Sequence, residues 1–260
     1  KSWVSRVEAS KHKKGTAYVT FDNHRFDDNR PYVYVTNDYG KSWKNITRNL
    51  PEKYSVYVIK EDYIDENLLF VGTEESVYFS KDKGNSWEKL GKNLPTVAIH
   101  DLVIHPREGD IIAGTHGKSI WILDDISPLR FLNKNKSNLL TTRISTKWIK
   151  INTGRKQPYF EFRGENPPYG AIINFYSNSK INGELLISKD EFESEKNIPS
   201  FRKSIKINKG INRFIWPFKL KRTEEELINY RDKFIGIKES LREIVVDKKG
   251  LNSYNFKEQK

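Results

Sequence analysis

The octamer Thr36-Asn37-Asp38-Tyr39-Gly40-Lys41-Ser42-Trp43 returns 44 positions later as Ser80-Lys81-Asp82-Lys83-Gly84-Asn85-Ser86-Trp87. Each copy follows an alternating aromatic and β-branched run, Tyr32-Val33-Tyr34-Val35 in the first case and Val77-Tyr78-Phe79 in the second. Each then leads to an Asn-Leu-Pro triplet, Asn49-Leu50-Pro51 and Asn93-Leu94-Pro95. A repeat of this length with period-two alternation is a unit of several short strands, and such units bury their apolar faces by stacking on one another. Within the octamer the Asp can accept hydrogen bonds from backbone N–H groups, the Gly supplies a positive φ, and the Trp opens the next strand as a large core anchor. Asp38, Gly40, Trp43, Asp82, Gly84 and Trp87 are therefore expected to be structural parts of braced hairpin turns.

The runs between turns predict strands over 3–10, 15–21, 32–36 and 43–47, which make one four-stranded antiparallel blade, and again over 55–60, 68–73, 76–80 and 86–90. A third unit starts at 97–105 and continues through 111–115 and 119–123. Asp124 falls ten residues past Gly114, as Asp82 falls ten past Gly72, but Asp124-Asp125-Ile126-Ser127-Pro128 lacks the Gly and the Trp. The outer strand of this blade is thus lost or supplied from elsewhere. Three blades do not close a ring, so further blades are expected upstream of Lys1 or in another chain.

After Pro128 the repeat stops. A polar linker over 133–142 precedes strands predicted at 148–152, 159–163, 171–177, 183–188, 204–207 and 212–218, which suggest a small β-sandwich. Thr223-Glu224-Glu225-Glu226 reads as a capping box, and Leu227, Tyr230, Phe234, Ile237, Leu241 and Ile244 recur at steps of three and four. An amphipathic helix to about Val246 and a polar, frayed tail are expected there. The fold class is all-β: the last blades of a β-propeller (1–130), a linker and first strand region (131–157), a sandwich module (158–220), then the helix and tail (221–260).

The net charge of +12 raises the question of nucleic acid, but Lys is scattered through every segment and no basic helix face interleaved with aromatics is visible, so no nucleic-acid partner is expected. The chain has no Cys, which removes disulfides, thiolate nucleophiles and Cys-ligated zinc. No apolar run is long enough for a membrane span. No metal or cofactor is expected.

Successive hairpins of a blade alternate between its two ends, so the loops joining strands two and three lie opposite the octamers. Gly15 to Asp38 spans 23 residues where Gly72 to Asp82 spans 10, which places an insertion carrying Asp22, His24, Arg25, Asp27, Asp28 and Arg30 at that opposite face. The matching loops bring Glu74-Glu75 and His116-Gly117-Lys118, and the innermost strand of the third blade brings His100 and Asp101. Carboxylates, imidazoles and an Arg converging on one mouth make a candidate ligand site. A glycosidase needs two carboxyl groups flanking the scissile bond, for which Asp27 or Asp28 with Glu74 or Glu75 are the candidates. The competing reading is that Asp27 and Asp28 form a turn and Glu74-Glu75 a solvated hairpin tip. His24, Arg25, His100, His116 and Lys118 are candidates for ligand binding, with a structural hydrogen bond as the alternative role for His116.

The two octamers resemble Asp-boxes, the turn signature of BNR-repeat β-propellers, a group that includes sialidases, xyloglucanase-type glycoside hydrolases and the sortilin ectodomain. The chain is most similar to bacterial sortilin-like (VPS10-like) proteins labelled glycosyl hydrolases, in residues 4–10, 15–18, His24-Arg25-Phe26-Asp27-Asp28 and the run from Thr115-His116-Gly117-Lys118 to Asp124-Asp125. That likeness covers about 1–218. The segments 164–171 and 210–216 resemble the Ig-like module that follows the propeller in that group. The resemblance implies a secreted or periplasmic protein that binds a glycan or peptide on its loop face, with glycoside hydrolase activity or a non-catalytic scaffold role as the two alternatives. The Phe/Tyr-Arg-Ile-Pro motif of sialidases does not occur in this chain.

Overall fold

The computed structural model describes residues 2–140, 143–145, 169–188, 201–218, 243–247, 252–253 and 257–259. The chain divides into two compact units, 1–130 with 255–260, and 131–254.

The first unit is a stack of antiparallel blades. Strands β1 (Val4–Ala9), β2 (Ala17–Asn23), β3 (Asp28–Thr36) and β4 (Lys44–Asn45) pair in sequence order, as do β5 (Val56–Glu61), β6 (Leu69–Thr73), β7 (Val77–Ser80) and β8 (Glu88–Lys89). The alternating runs of β-branched and aromatic residues place Tyr18, Val33, Val35 and Ile46 of the first blade against Val56, Ile59, Leu69, Val71, Tyr78 and Trp87 of the second in one buried cluster. Burial at roughly 25 cal/mol per Å2 of apolar surface makes this inter-blade layer the main cohesive force between the repeats. Polar links trim its edges: Lys60 pairs with Glu8 at 2.7 Å, and the Tyr18 hydroxyl donates to Glu61 at 2.9 Å.

The third blade starts with β9 (Ile99–Ile104), β10 (Ile111–Thr115) and β11 (Ile120–Leu123). Asp125, at φ 58°, accepts from the Ser127 N–H and leads into the single-turn helix α1 (Ser127–Arg130) where the earlier blades make an octamer turn. Arg130 holds the blade to its neighbour through a bidentate, buried ion pair with Asp62, both contacts 2.8 Å.

The second unit is a β-sandwich. Strands β12 (Asn138–Leu140), β13 (Ala171–Ser177), β14 (Ile181–Ser188), β15 (Phe201–Ile207), β16 (Gly210–Trp216), β17 (Glu243–Asp247) and β18 (Asn252–Ser253) form two sheets, ordered β12-β13-β16-β18 and β15-β14-β17. Ala171, Ile173, Phe214 and Trp216 of one sheet meet Leu185 and Ile187 of the other, with Phe201, Ile205 and Phe218 packed around them. The strands expected at 148–152 and 159–163 lie outside the described residues.

Three expectations are corrected here. The helix expected from 223 to about 246 is not supported: residues 243–247 form β17, whose Ile244-Val245-Val246 run pairs with β14, while 223–242 lie outside the described residues. The tail expected to be frayed carries β18 and a last strand, β19 (Lys257–Gln259). That strand pairs antiparallel with β11, so the C-terminal segment supplies the outer strand that the third blade's own turn no longer leads to. The stretch expected to be an inserted loop is mostly strand: Asp22 belongs to β2 and Asp28 and Arg30 to β3, an extended hairpin closed by one 3-10 turn over His24–Phe26. The cause is register. Val4 pairs with Phe21 as Val56 pairs with Thr73, so Thr20, not Gly15, is the counterpart of Gly72.

Candidate functional site

The octamer turns are built alike. Asp38 accepts from the Ser42 N–H (2.9 Å), the Ser42 hydroxyl (2.5 Å) and the Thr36 hydroxyl (2.8 Å); Asp82 accepts from the Ser86 N–H (2.8 Å), the Ser86 hydroxyl (2.6 Å) and the Ser80 hydroxyl (2.7 Å). Gly40 and Gly84, each at φ +84°, let the chain reverse so that their N–H groups reach Thr36 and Ser80. The hydrogen bonds from Ser42 and Thr36 hold the Asp38 carboxyl down at about 2. Burial alone would raise Asp82, but the Ser86 and Ser80 hydrogen bonds outweigh it and lower it too. These carboxylates have their acceptor sites filled from within the turn.

At the other end of the blades the register picks out three equivalent positions. Each strand two closes with a backbone bond to the residue before strand one: Asp22 N–H to Trp3 O (2.9 Å), Glu74 N–H to Ser55 O (3.0 Å) and His116 N–H to Ala98 O (2.9 Å). The matching positions on the innermost strands are Ser5, Tyr57 and His100, each following a residue of the Val4, Val56 and Ile99 set. Two positions per blade thus gather a hydroxyl, a phenol, two imidazoles and two carboxylates on one face. The rings form a row: Tyr57 stacks on His100 with centroids 4.5 Å apart and planes 14° from parallel, and His100 lies 5.2 Å from His116. Burial, then the negative charges of Glu74 and Asp22, push the Tyr57 phenol up to about 12, so it stays a donor throughout the physiological range. Ser5 is committed to Thr20 (2.8 Å) and to the Val56 carbonyl (2.7 Å), and Asp22 to the His24 ring, whose Nδ1 is 2.7 Å from both carboxylate oxygens. The side chains of Tyr57, Glu74, His100 and His116 make no hydrogen bond among the described residues.

The other sequence candidates go elsewhere. Asp28 is gripped by Arg30 through two 2.9 Å contacts and by the Tyr32 hydroxyl at 2.7 Å; the Arg30 hydrogen bond, then that of Tyr32, holds its carboxyl far below the usual carboxylate range. Asp27 is exposed in a left-handed conformation that ends the 3-10 turn. Glu75 pairs with Lys89 (2.5 Å) and accepts from Tyr78 (2.9 Å); burial opposes ionisation, yet these two contacts lower its pKa. Arg25 lies 5.0 Å over the Trp3 ring, and Lys118 is exposed, its carbonyl receiving the Trp121 indole N–H at 2.7 Å. Asp101 binds Arg6 at 2.7 Å. A glycosidase acid must hold its proton near neutral pH, which requires a raised pKa. Asp28 and Glu75 are both shifted the opposite way. Tyr57 was not among the sequence candidates, although it stands one blade before His100 at the equivalent position, a signal available once the strands are aligned from their paired residues.

These features define a class: the blades of a β-propeller, braced by hydrogen-bonded turns at one end and presenting a row of stacked polar rings at the other, followed by a β-sandwich. The chain belongs to the Sortilin-Vps10 family (sortilin, neurotensin receptor 3), whose pattern matches residues 31–229. Among curated proteins no relative matches. Solved structures similar in shape include the Niastella koreensis GH74 enzyme (14% identity, TM-score 0.39, 46% of this chain and 21% of that one) and the GH74 xyloglucanase from Xanthomonas campestris (15%, 0.39, 47% and 22%). A third is YCF48 bound to D1 peptide (19%, 0.34, 46% and 35%). The aligned part spans about a fifth of the length of the two GH74 enzymes. Among the described residues no helix is long and apolar enough to cross a membrane.

Proposed function

We propose that the loop face of this propeller binds a glycan or a peptide without hydrolysing it, as a receptor-like module of a secreted or periplasmic protein. The observation that carries this is the row Tyr57, His100 and His116 beside Glu74, a set of stacked rings and open hydrogen-bonding groups grouped by blade equivalence. Ring faces take up sugar or peptide planes, and the carboxylate and phenol can exchange hydrogen bonds with hydroxyl or amide groups. The family description, which names a neurotensin receptor, favours binding over turnover. The ion-paired state of Asp28 and Glu75 favours it as well. In this reading the octamers are Asp-boxes of a BNR-repeat propeller, and the sandwich is an Ig-like module.

The test is to present the full-length protein to glycan and peptide arrays and to assay the bound glycans for released reducing sugar. Saturable binding that falls about tenfold or more in Tyr57→Ala and Glu74→Gln is expected, with no sugar release. Turnover of a bound glycan, or binding indifferent to both substitutions, overturns the proposal.

A further inference from the structure

The turn joining strands one and two has the same backbone in the first two blades, and it meets the octamer at the same point. The Ser10 N–H donates to the Thr16 carbonyl (3.0 Å) and the Thr16 N–H to that of Lys13 (3.3 Å), as the Asp62 N–H does to Leu68 (2.9 Å) and the Leu68 N–H to Asp65 (3.0 Å). The Tyr39 N–H then reaches the Gly15 carbonyl at 2.9 Å, as the Lys83 N–H reaches that of Asn67 at 3.1 Å. Lys11-His12-Lys13-Lys14 is thereby the counterpart of Tyr63-Ile64-Asp65-Glu66, and Asn37 and Tyr39 are the counterparts of Lys81 and Lys83.

On this common backbone the charges are opposite. In the second blade Asp65 pairs with Lys81, and Glu66 with Lys83 at 2.8 Å, so the turn is neutralised from within. In the first blade lysines occupy the places of the acids, and Asn37 and Tyr39 the places of their cations. Lys11, Lys13, Lys14 and Lys41 are exposed and form no ion pair among the described residues. The neighbouring carboxylates are engaged: Asp38 by Ser42 and Thr36, Glu66 by Lys83, and the buried Glu61 by the Ser10 hydroxyl, the Lys11 N–H and the Tyr18 hydroxyl. With the His12 ring 2.7 Å from the Asp62 carbonyl, the bonds to Glu61 fix the turn against the second blade and leave its lysines free.

Tyr39 adds a ring. A Cβ on Gly15, which has φ +79°, would stand 2.8–3.2 Å from three atoms of that ring, so the ring lies against bare glycine backbone, and yet the residue is 79% exposed. The result is an aromatic surface held in place and bordered by ammonium groups. A blade stacked beside the first one does not hide it: Glu66 and Lys83, at the places of Lys14 and Tyr39, keep side-chain exposures of 50% and 46% with a neighbouring blade in position.

We propose that Tyr39 with Lys11, Lys13, Lys14 and Lys41 forms a second binding site, for an acidic polysaccharide, in which a sugar ring stacks on Tyr39 and carboxylate or sulfate groups of the same chain meet the lysines. Lys is a point charge that takes either anion without the fork geometry of Arg, and the Tyr face takes the apolar face of a sugar. A nucleic-acid strand calls for rings under successive bases, and a membrane for apolar side chains among the charges. Residues 10–16 and 36–42 hold one Tyr, no Phe or Trp, and no Val, Leu or Ile. This site stands independently of what the loop face binds.

The test measures binding of the full-length protein to alginate, which carries carboxylates, and to dextran sulfate, with neutral dextran, a single-stranded oligonucleotide and phosphatidylglycerol vesicles alongside. Saturable binding to at least one acidic polysaccharide, absent with dextran and weakened by salt, is expected, and which of the two binds identifies the anionic group. Two variants carry the second blade's residues into the first and so suit the turn: Lys13→Asp with Lys14→Glu, and Tyr39→Lys, whose counterpart Lys83 has φ 57° against 61° for Tyr39. The double variant is expected to lower affinity about tenfold or more, and Tyr39→Lys about threefold in spite of its added charge. Tighter binding by Tyr39→Lys, indifference to the double variant, no binding to either acidic polysaccharide, or tighter binding of the oligonucleotide or the vesicles overturns the proposal.

Discussion

Asp38 and Asp82, at the octamer end of the blades, each accept three hydrogen bonds from their own turn, while Glu74, at the opposite end of the same sheet as Asp82, accepts none among the described residues. The octamer end repeats almost atom for atom between the first two blades. The loop end does not: equivalent positions carry Asp22, Glu74 and His116, and Ser5, Tyr57 and His100. Where a sequence repeats, its side chains meet requirements common to every blade, namely turn closure and inter-blade packing. Where equivalent positions diverge, and Tyr57, Glu74, His100 and His116 make no side-chain hydrogen bond among the described residues, packing does not explain them, and that end is where recognition is to be sought.

Substitutions at the octamer end should cost stability in proportion to what they unpack. Trp87→Ala removes a buried indole and its hydrogen bond to Ile46, and about 3–5 kcal/mol of stability should go with it, read as a shift in the urea midpoint. Asp82→Ala leaves two hydroxyls and a backbone N–H without their acceptor and should cost about 2–3 kcal/mol by the same measurement. If either matches a surface substitution, the two ends do not differ as described.

Acid sharpens the contrast. Asp38, held at about 2, and Asp82, lowered as well, have folded-state values below the roughly 3.9 of an unfolded Asp. A depressed carboxyl contributes stability that is complete above the unfolded value and is lost as pH falls through the folded one. Stability of the wild type should therefore decline between about pH 4 and pH 2, and Asp82→Asn should decline less steeply over that window in equilibrium unfolding. Parallel slopes would contradict the brace. The smallest effect belongs to the loop end: Glu74→Gln should change stability by less than about 0.5 kcal/mol. The same substitution should let the Tyr57 phenol titrate below its present value of about 12, followed by ultraviolet absorbance, because one of the charges holding it up is gone.

Much of the fold was legible because the repeat states it twice. The two octamers, the strand order of two blades and the three-strand remnant of the third follow from period-two runs and turn residues alone. What was not legible depends on distant partners. Residues 243–247 end a stretch with a capping box and helical spacing, yet Ile244-Val245-Val246 is also a β-branched run, and pairing with β14 decided between the two. Residues 257–259 are polar and show no strand pattern; they become a strand because β11 lacks an outer neighbour of its own. At the candidate site, Glu74, His100 and His116 could be assigned to one face from blade geometry. Asp28 and Glu75 could not be separated from Glu74, because spacing does not state which cation a carboxylate takes: Arg30 reaches Asp28 from two residues along the same strand, and Lys89 reaches Glu75 from the outer strand of its blade. Tyr57 is recognisable as the counterpart of His100 only when the innermost strands of the second and third blades are aligned from their paired residues.

The most direct test that the ring row, and not the carboxylates of the hairpin tip, is the recognition site uses a ligand captured from the arrays by the full-length protein and compares two double variants. Tyr57→Ala with His100→Ala empties the ring row; Asp27→Ala with Asp28→Asn alters the carboxylates at the hairpin tip. The account predicts that the first loses affinity by about tenfold or more while the second binds as the wild type does. Retained binding in the first with loss in the second would contradict it.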